Sequence, residues 1–342
     1  MSTEPKVLTF ATREEWLQAR KEFITASDVA AILGFDKRRT AAHVYAEKRG
    51  LVDPEPDSPT LRRGRMLESS VVGWYAEDTG YSVERHEHRL EVHPDLPWLA
   101  ASRDATAITP FKDRRNVEAK TARSRYGARG EEEDEKWGET GTDEVPRNYI
   151  PQTQIQMAVG GFDVTDVPVL IAGNDFRIYY VPRSPAFIDL AIGKLAEFMN
   201  MVRTGVPPPF DFTHSKTLEL VQELYPNVES RLVELGAEWL DIATDLENVR
   251  AIGRAADKRE KQIKALIFDA VGEAELGRVI DTPVVFCRQL QIKNFKPRPA
   301  ERREEIHLKV KGLEDGEDRN SIAARTIEGG TAATGRAISA AN

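Results

Sequence analysis

Apolar residues fall three and four positions apart in the first eighty residues and alternate with polar ones after that, so helices are expected first and strands second. The string Thr12-Arg13-Glu14-Glu15 reads as a capping box, with Trp16, Leu17 and Phe23 marking a short amphipathic helix behind it. Hydroxyl residues in Ile24-Thr25-Ala26-Ser27-Asp28 open a second helix that closes on Gly34. Thr40 caps a third over 43–49, which stops at Gly50, and a proline-rich polar connection covers 51–60. Leu67, Val71, Trp74 and Tyr75 then share one face of a helix over 64–79, with Glu68 at the edge of that face and Gly80 at its end.

Beyond Gly80, residues 81–92 and 99–108 predict two strands joined through Pro94, Pro97 and Trp98, and 116–121 a third. Residues 121–145 are rich in glycine and carry the acidic run 131–135, which predicts a long mobile loop; a substrate gate and plain disorder both stay open for it. Order returns at Pro146, where a helix begins with Gln152 and Gln156 on one face. A hairpin over 167–173 and 176–182 turns at Asn174-Asp175, and a helix over 186–204 ends before Pro207-Pro208-Pro209. Val228, Leu232, Leu235, Trp239, Ile242, Leu246 and Val249 then repeat with heptad spacing, a helix of about six turns with a coiled-coil seam. Gly253 is expected to interrupt it before it resumes to Val271 with a basic face of Arg250, Arg254, Lys258 and Lys261. Packing on itself or a neighbouring subunit, and contact with DNA, both fit such an arm. Residues 282–292 suggest late strands, and from Gly312 the chain reads as disordered. The fold class is α+β: a central mixed sheet flanked by helices over 1–211, a helical arm with late strands over 212–311, and a tail over 312–342.

Composition narrows the classes. A length of 342 residues with 40% hydrophobic content fills one large or two moderate cores. No run of about 18 apolar residues and no basic-then-apolar leader are present, so a cytoplasmic protein is expected. Cys287 is the one cysteine, which excludes an internal disulfide and a cysteine zinc cluster. The net charge of -8 argues against indiscriminate coating of nucleic acid but allows a local basic track. His86 and His88 share a strand face without a third ligand and read as surface residues.

The candidate chemistry lies in Ser102-Arg103-Asp104 and Val117-Glu118-Ala119-Lys120-Thr121. Strand side chains alternate, so Glu118 and Lys120 point the same way with the Ala119 carbonyl between them. Two carboxylates and a carbonyl are hard ligands for Mg2+ (Mn2+ is the alternative), and a lysine beside them holds or deprotonates an attacking water. Taken alone, the triplet is the common pattern of alternating surface charges on an edge strand. On their own, Thr25 and Ser27 read first as ordinary caps of the 25–34 helix; the alternative is a phosphate at that helix start, with charge from Arg20 or Lys21.

The order of Ile24-Thr25-Ala26-Ser27-Asp28, Gly64 to Glu68, Ser102-Arg103-Asp104, Glu118-Ala119-Lys120-Thr121 and Pro146-x-x-Tyr149-x-x-Gln152-x-Gln154-x-x-Met157 resembles the YqaJ-like viral recombinase family. These are relatives of phage lambda exonuclease in the PD-(D/E)xK nuclease superfamily, with a restriction-endonuclease-like core, and the resemblance covers about 11–211. It implies that Asp104, Glu118 and the Ala119 carbonyl bind the metal, that Glu68 joins through a second ion or its waters, and that Lys120 is the catalytic lysine. Gln152 would line the site, preceded by Tyr149 at the family spacing. Arg20 and Ser27 occupy the places of an arginine and a serine that contact the 5'-phosphate in lambda exonuclease, with Thr25 beside them. Arg103 departs from the proline usual there. The activity implied is Mg2+-dependent 5'-to-3' digestion of double-stranded DNA ends, leaving 3' tails for a single-strand annealing protein, by a trimeric or tetrameric ring. A restriction- or repair-type endonuclease and a non-catalytic DNA-end binder are the alternatives.

Overall fold

The computed structural model describes residues 4–53, 57–123, 136–227, 230–274, 276–278, 280 and 285–287. Strand β1 (Lys6–Thr9) leads into α1 (Arg13–Arg20), where Thr12 Oγ1 accepts the Glu15 N–H at 3.2 Å and the Glu15 carboxylate reaches back to the Thr12 N–H. The single helix expected over 25–34 is divided into β2 (Ile24–Thr25), a 3-10 turn at Ala26–Asp28 and the four-residue α2 (Val29–Ile32). The cause is Asp28, whose carboxylate accepts both the Thr25 N–H at 3.0 Å and its hydroxyl at 2.8 Å, holding Thr25 extended. After α3 (Ala41–Lys48), α4 (Pro59–Thr79) starts five residues before Gly64 because Ser58 caps it and Pro59 suits its first turn; it ends at Gly80 in the left-handed region.

The next two predicted strands are each cut in half, and the halves enter different sheets. β3 (Ser82–Arg85) separates from β4 (Arg89–Val92), and β5 (Leu99–Ala101) from β6 (Ala105–Ile108). One sheet runs β1-β4-β5-β2. The other is built with β7 (Arg114–Val117), β8 (Lys120–Ala122), β9 (Val164–Ile171) and β10 (Asp175–Pro182) in the order β10-β9-β7-β6-β3, with β8 also on β9. β9 is parallel to β7 and β8 and antiparallel to β10, so this sheet is mixed.

Helix α5 (Ile150–Gly160) is buried over most of its length; its Ile155 and Val159 pack with Ile24, Val44, Leu99 and, from α6 (Pro185–Thr204), Leu195. Each such side chain contributes roughly 1.5–3 kcal/mol on burial. Val72 and Tyr75 of α4 close on Ala105, Ala107 and Val117 of the second sheet, while Leu67 and Trp74 of the predicted face are more exposed. Leu220 of α7 (Thr217–Leu224) packs with Ala42 and Ala46, so this compact unit continues past residue 211.

Part of the segment expected to be a mobile loop is ordered. Trp137 is buried among Val167, Val169 and Tyr179, and the backbone from Gly141 to Thr142 bonds to β10 at Ile178 and Tyr180. The acidic run 131–135 lies outside the described residues.

The second compact unit contains α8 (Glu238–Val271), which runs through Gly253 without a break. It starts after Leu232 and Leu235, which precede the helix; Val228 is outside the described residues. β11 (Leu276–Arg278) pairs antiparallel with β12 (Val285–Cys287); β12 falls within the 282–292 stretch expected to hold late strands and β11 precedes it, and 312–342 is outside the described residues. Among the described residues no helix is long and apolar enough to cross a membrane.

Candidate active site

The centre is a gap in the parallel ladder of the second sheet. β7 pairs with β9 as Asn116↔Thr165 and Val117↔Asp166, and β8 resumes in the same register as Lys120↔Val169. Between them the Glu118 N–H still bonds to the Asp166 carbonyl, but the Ala119 N–H leaves the sheet and donates to Asp104 Oδ2 at 2.7 Å. Asp104 is there because the chain crosses from β5 to β6 at Ser102–Asp104, bringing its carboxylate to the gap.

The preserved register puts Glu118 and Lys120 on one side. Lys120 Nζ donates to Glu118 Oε1 at 2.5 Å and to Gln152 Oε1 at 3.3 Å, and Gln152 Nε2 donates to Glu118 Oε1 at 2.5 Å. The ammonium lies 5.1 Å over the Tyr149 ring, which rests against Trp137. Asp104, Glu118, Lys120, Gln152 and Tyr149, predicted from separate segments, therefore form one cluster. Two further residues hold it. Gln156 Nε2 donates to Glu118 Oε2 at 2.5 Å and to the Ser102 carbonyl at 2.8 Å, while its Oε1 accepts from Asn116 Nδ2 at 2.9 Å. Both are fully buried. Their signals were present: Gln156 is one turn after Gln152, and Asn116 alternates onto the same strand face as Glu118.

The electrostatics follow from the crowding. Burial raises the Asp104 carboxyl well above the usual range, the charges of Glu118 and Glu68 push it further, and Lys120 with the Ala119 N–H offset this only in part. Glu68, on α4, is raised by burial and then by Glu118. Burial disfavours the charge on Lys120, but Glu118, Tyr149 and Asp104 outweigh it and raise its pKa. Mutually repelling carboxyls are the condition a divalent cation relieves. No three His, Cys, Asp or Glu side chains among the described residues converge tightly enough to hold an ion alone. Asp104 and Glu118 with the Ala119 carbonyl, supplemented by solvent, nevertheless match the one or two carboxylates by which Mg2+ is ordinarily held.

A cavity of about 630 Å³ opens beside the cluster, lined by Lys120, Gln152 and Tyr149 at one end and by Arg20, Ser27, Arg39 and Lys48 elsewhere. Arg20 lies 4.5 Å over the Trp16 ring and donates to Thr25 Oγ1 at 3.2 Å and to Ser27 Oγ. Thr25 is buried behind this surface, where it is tied to Asp28; it supports the pocket and does not line it. With α2 only four residues long, the positive charge at this place comes from Arg20, Arg39 and Lys48 and not from the helix start expected there. Asp28, Arg39 and Lys48 were missed because their ion pairs, at 3.4 and 2.9 Å from Asp28, join segments far apart in sequence.

Arg103 turns away from the cluster. Its guanidinium pairs with Glu91 of β4 and lies 4.4 Å over the Phe162 ring. His86 bonds through Nε2 to Thr106 Oγ1 at 2.8 Å, and His88 takes a positive φ; both fall in the break between β3 and β4, not on a common strand face.

A mixed sheet that brings acids, a lysine and an amide together at a break between strands, with a basic cavity alongside, defines a nuclease core. Residues 15–163 are similar to the YqaJ-like viral recombinase domain. Among curated proteins it is similar to the uncharacterized protein YqaJ of Bacillus subtilis (strain 168), 29% identical over 271 residues covering 76% of this chain and 79% of the relative. Among solved structures it is similar to an alkaline exonuclease, LHK-Exo, from Laribacter hongkongensis, also solved in complex with dAMP. The TM-score is 0.42 and the identity 21%, over 60% of this chain and 99% of that one.

Proposed function

We propose that this nuclease is a divalent-metal-dependent 5'-to-3' exodeoxyribonuclease acting on double-stranded DNA ends, with Mg2+ as the metal and Mn2+ as its substitute. The observation that carries the reading is the single cavity lined by Arg20 and Ser27 as well as by Lys120 and Gln152. A terminal phosphate held on Arg20 and Ser27 would share that cavity with Lys120 and Gln152, which couples recognition of an end to hydrolysis. Bound between Asp104, Glu118 and the Ala119 carbonyl, with Glu68 reaching it through solvent, the metal would supply Lewis acidity at the phosphate. Lys120 offers positive charge to the reacting oxygens, and Gln152 fixes both the ammonium and Glu118, so the cluster is oriented before substrate arrives. Tyr149 supports the lysine from below. The 3' single strands left by such digestion suit a single-strand annealing protein as partner, and a trimeric or tetrameric ring around DNA is the assembly expected of this family.

The test gives linear duplex DNA, with and without a 5'-phosphate, and covalently closed circles to wild type, Lys120→Ala and Arg20→Ala. Wild type digests only the linear DNA, Lys120→Ala is inactive, and Arg20→Ala narrows the ratio between phosphorylated and unphosphorylated ends. Cutting of circles makes the protein an endonuclease, and DNA binding without digestion in Mg2+ makes it an end binder; either overturns the proposal.

A further inference from the structure

Helix α8 spans 34 residues, about 51 Å at 1.5 Å per residue, and none of its described side chains is buried. Trp239, Ile242, Val249 and Ile263, on the stripe it inherits from the heptad spacing, are between 42% and 65% exposed. A stripe of this length on a single helix calls for a second helix.

The order of residues along the stripe says which one. The midpoint of α8 falls between Arg254 and Ala255. Trp239 and Ala270 lie equally far from it on the stripe, as do Ile242 and Ile267, and Leu246 and Ile263. Nearer the centre, Val249 mirrors Glu260, and Gly253 mirrors Ala256. Two copies laid antiparallel in full overlap therefore meet layer by layer, the largest side chain against a small one and the one acidic stripe residue against valine. Gly253 and Ala256 allow close approach at the crossing. A parallel pair would stack Trp239 on Trp239 and Glu260 on Glu260.

Charge gives the same orientation. Residues 238–249 carry four acids and no base, whereas 250–271 carry six bases and three acids. Antiparallel pairing sets the acidic end of one copy beside the basic end of the other; parallel pairing sets like on like. We propose that α8 is a homotypic association helix, joining two copies of this chain through a two-fold antiparallel coiled coil.

The experiment uses the full chain with Cys287→Ser, so that introduced thiols stand alone. Ile242→Cys and Ile267→Cys proteins are purified separately and oxidised alone and mixed. Antiparallel pairing gives a disulfide-linked dimer in the mixture and none from either protein by itself. Self-linking of either one, or no linked dimer in the mixture, overturns the proposal; the second outcome would assign the stripe to another segment of the chain or to DNA. Leu246→Glu, read by sedimentation equilibrium, raises the dissociation constant of the same contact on the order of 100-fold. An unchanged constant also overturns it. Neither readout depends on nuclease activity, so the site assignment stands or falls separately.

Discussion

Gln152 and Gln156 lie one turn apart on α5 and both donate to Glu118 at 2.5 Å, yet replacing them should have opposite consequences. Gln156 is fully buried. Substitution by leucine preserves its volume but removes a hydrogen bond to a carboxylate, worth about 1.5–3 kcal/mol, and leaves the Ser102 carbonyl without this donor, a further cost of about 1–3 kcal/mol. Asn116 keeps its bond to Thr165 Oγ1 at 2.9 Å, which limits the damage. Gln156→Leu is thus expected to lose about 3–5 kcal/mol of stability, read as a shift in the urea midpoint at constant slope. Gln152 is half-buried on the cavity, where water can replace its bonds, so Gln152→Leu should cost about 1 kcal/mol or less. Its effect falls on turnover: with Lys120 and Glu118 held only by their direct bond and no longer fixed by the amide, kcat on linear duplex DNA should drop at least about tenfold. The reasoning is refuted if Gln156→Leu is as stable as wild type, or if Gln152→Leu unfolds as early as Gln156→Leu.

Three further outcomes follow from buried contacts. Burial alone would raise the Asp28 carboxyl, but Lys48, Arg39 and Arg20 hold it well below the usual range. It therefore contributes stability above about pH 4 that is lost as the pH falls toward its folded value. Asp28→Asn should cost about 3 kcal/mol at pH 7 and flatten the acid limb of a urea-midpoint-versus-pH profile; an unchanged limb would count against the ion cluster. A Cβ at Gly160 would overlap the Phe162 ring and approach Arg103 Nη1 to 3.1 Å, so Gly160→Ala should lower stability by about 1–3 kcal/mol, visible by calorimetry. Tyr75 donates its hydroxyl to Asp166 Oδ2 at 2.6 Å inside the protein, and Tyr75→Phe should cost about 1.5–3 kcal/mol in the same assay.

The sequence revealed local periodicity more readily than path. Glu118 and Lys120 could be placed on one face because their spacing spans only two residues, and the ladder keeps its register around them. The exchange of strands between two sheets could not be seen, since β4 buries Leu90, Glu91 and Val92 in succession and shows no alternation to mark the break. Glu91 enters the interior because Arg89 and, twelve residues later, Arg103 both meet it there. Trp137 stood in a glycine-rich acidic stretch, and its partner Tyr179 is supplied by a strand more than forty residues on. The start of α8 was misplaced for a different reason: a heptad pattern reports which residues would share a seam but not where the helix begins.

The bond from the Ala119 N–H to Asp104 has a consequence for inheritance. One oxygen of a proposed metal ligand also closes the gap between two strands, so substitutions at 104 divide sharply. Asparagine can still accept that N–H while surrendering the negative charge; alanine gives up both and leaves a half-buried donor to water. A lineage abandoning hydrolysis would keep its strands joined by the first route and loosen them by the second. Among descendants of such a sequence, asparagine at this position would mark a silenced enzyme with its sheet intact.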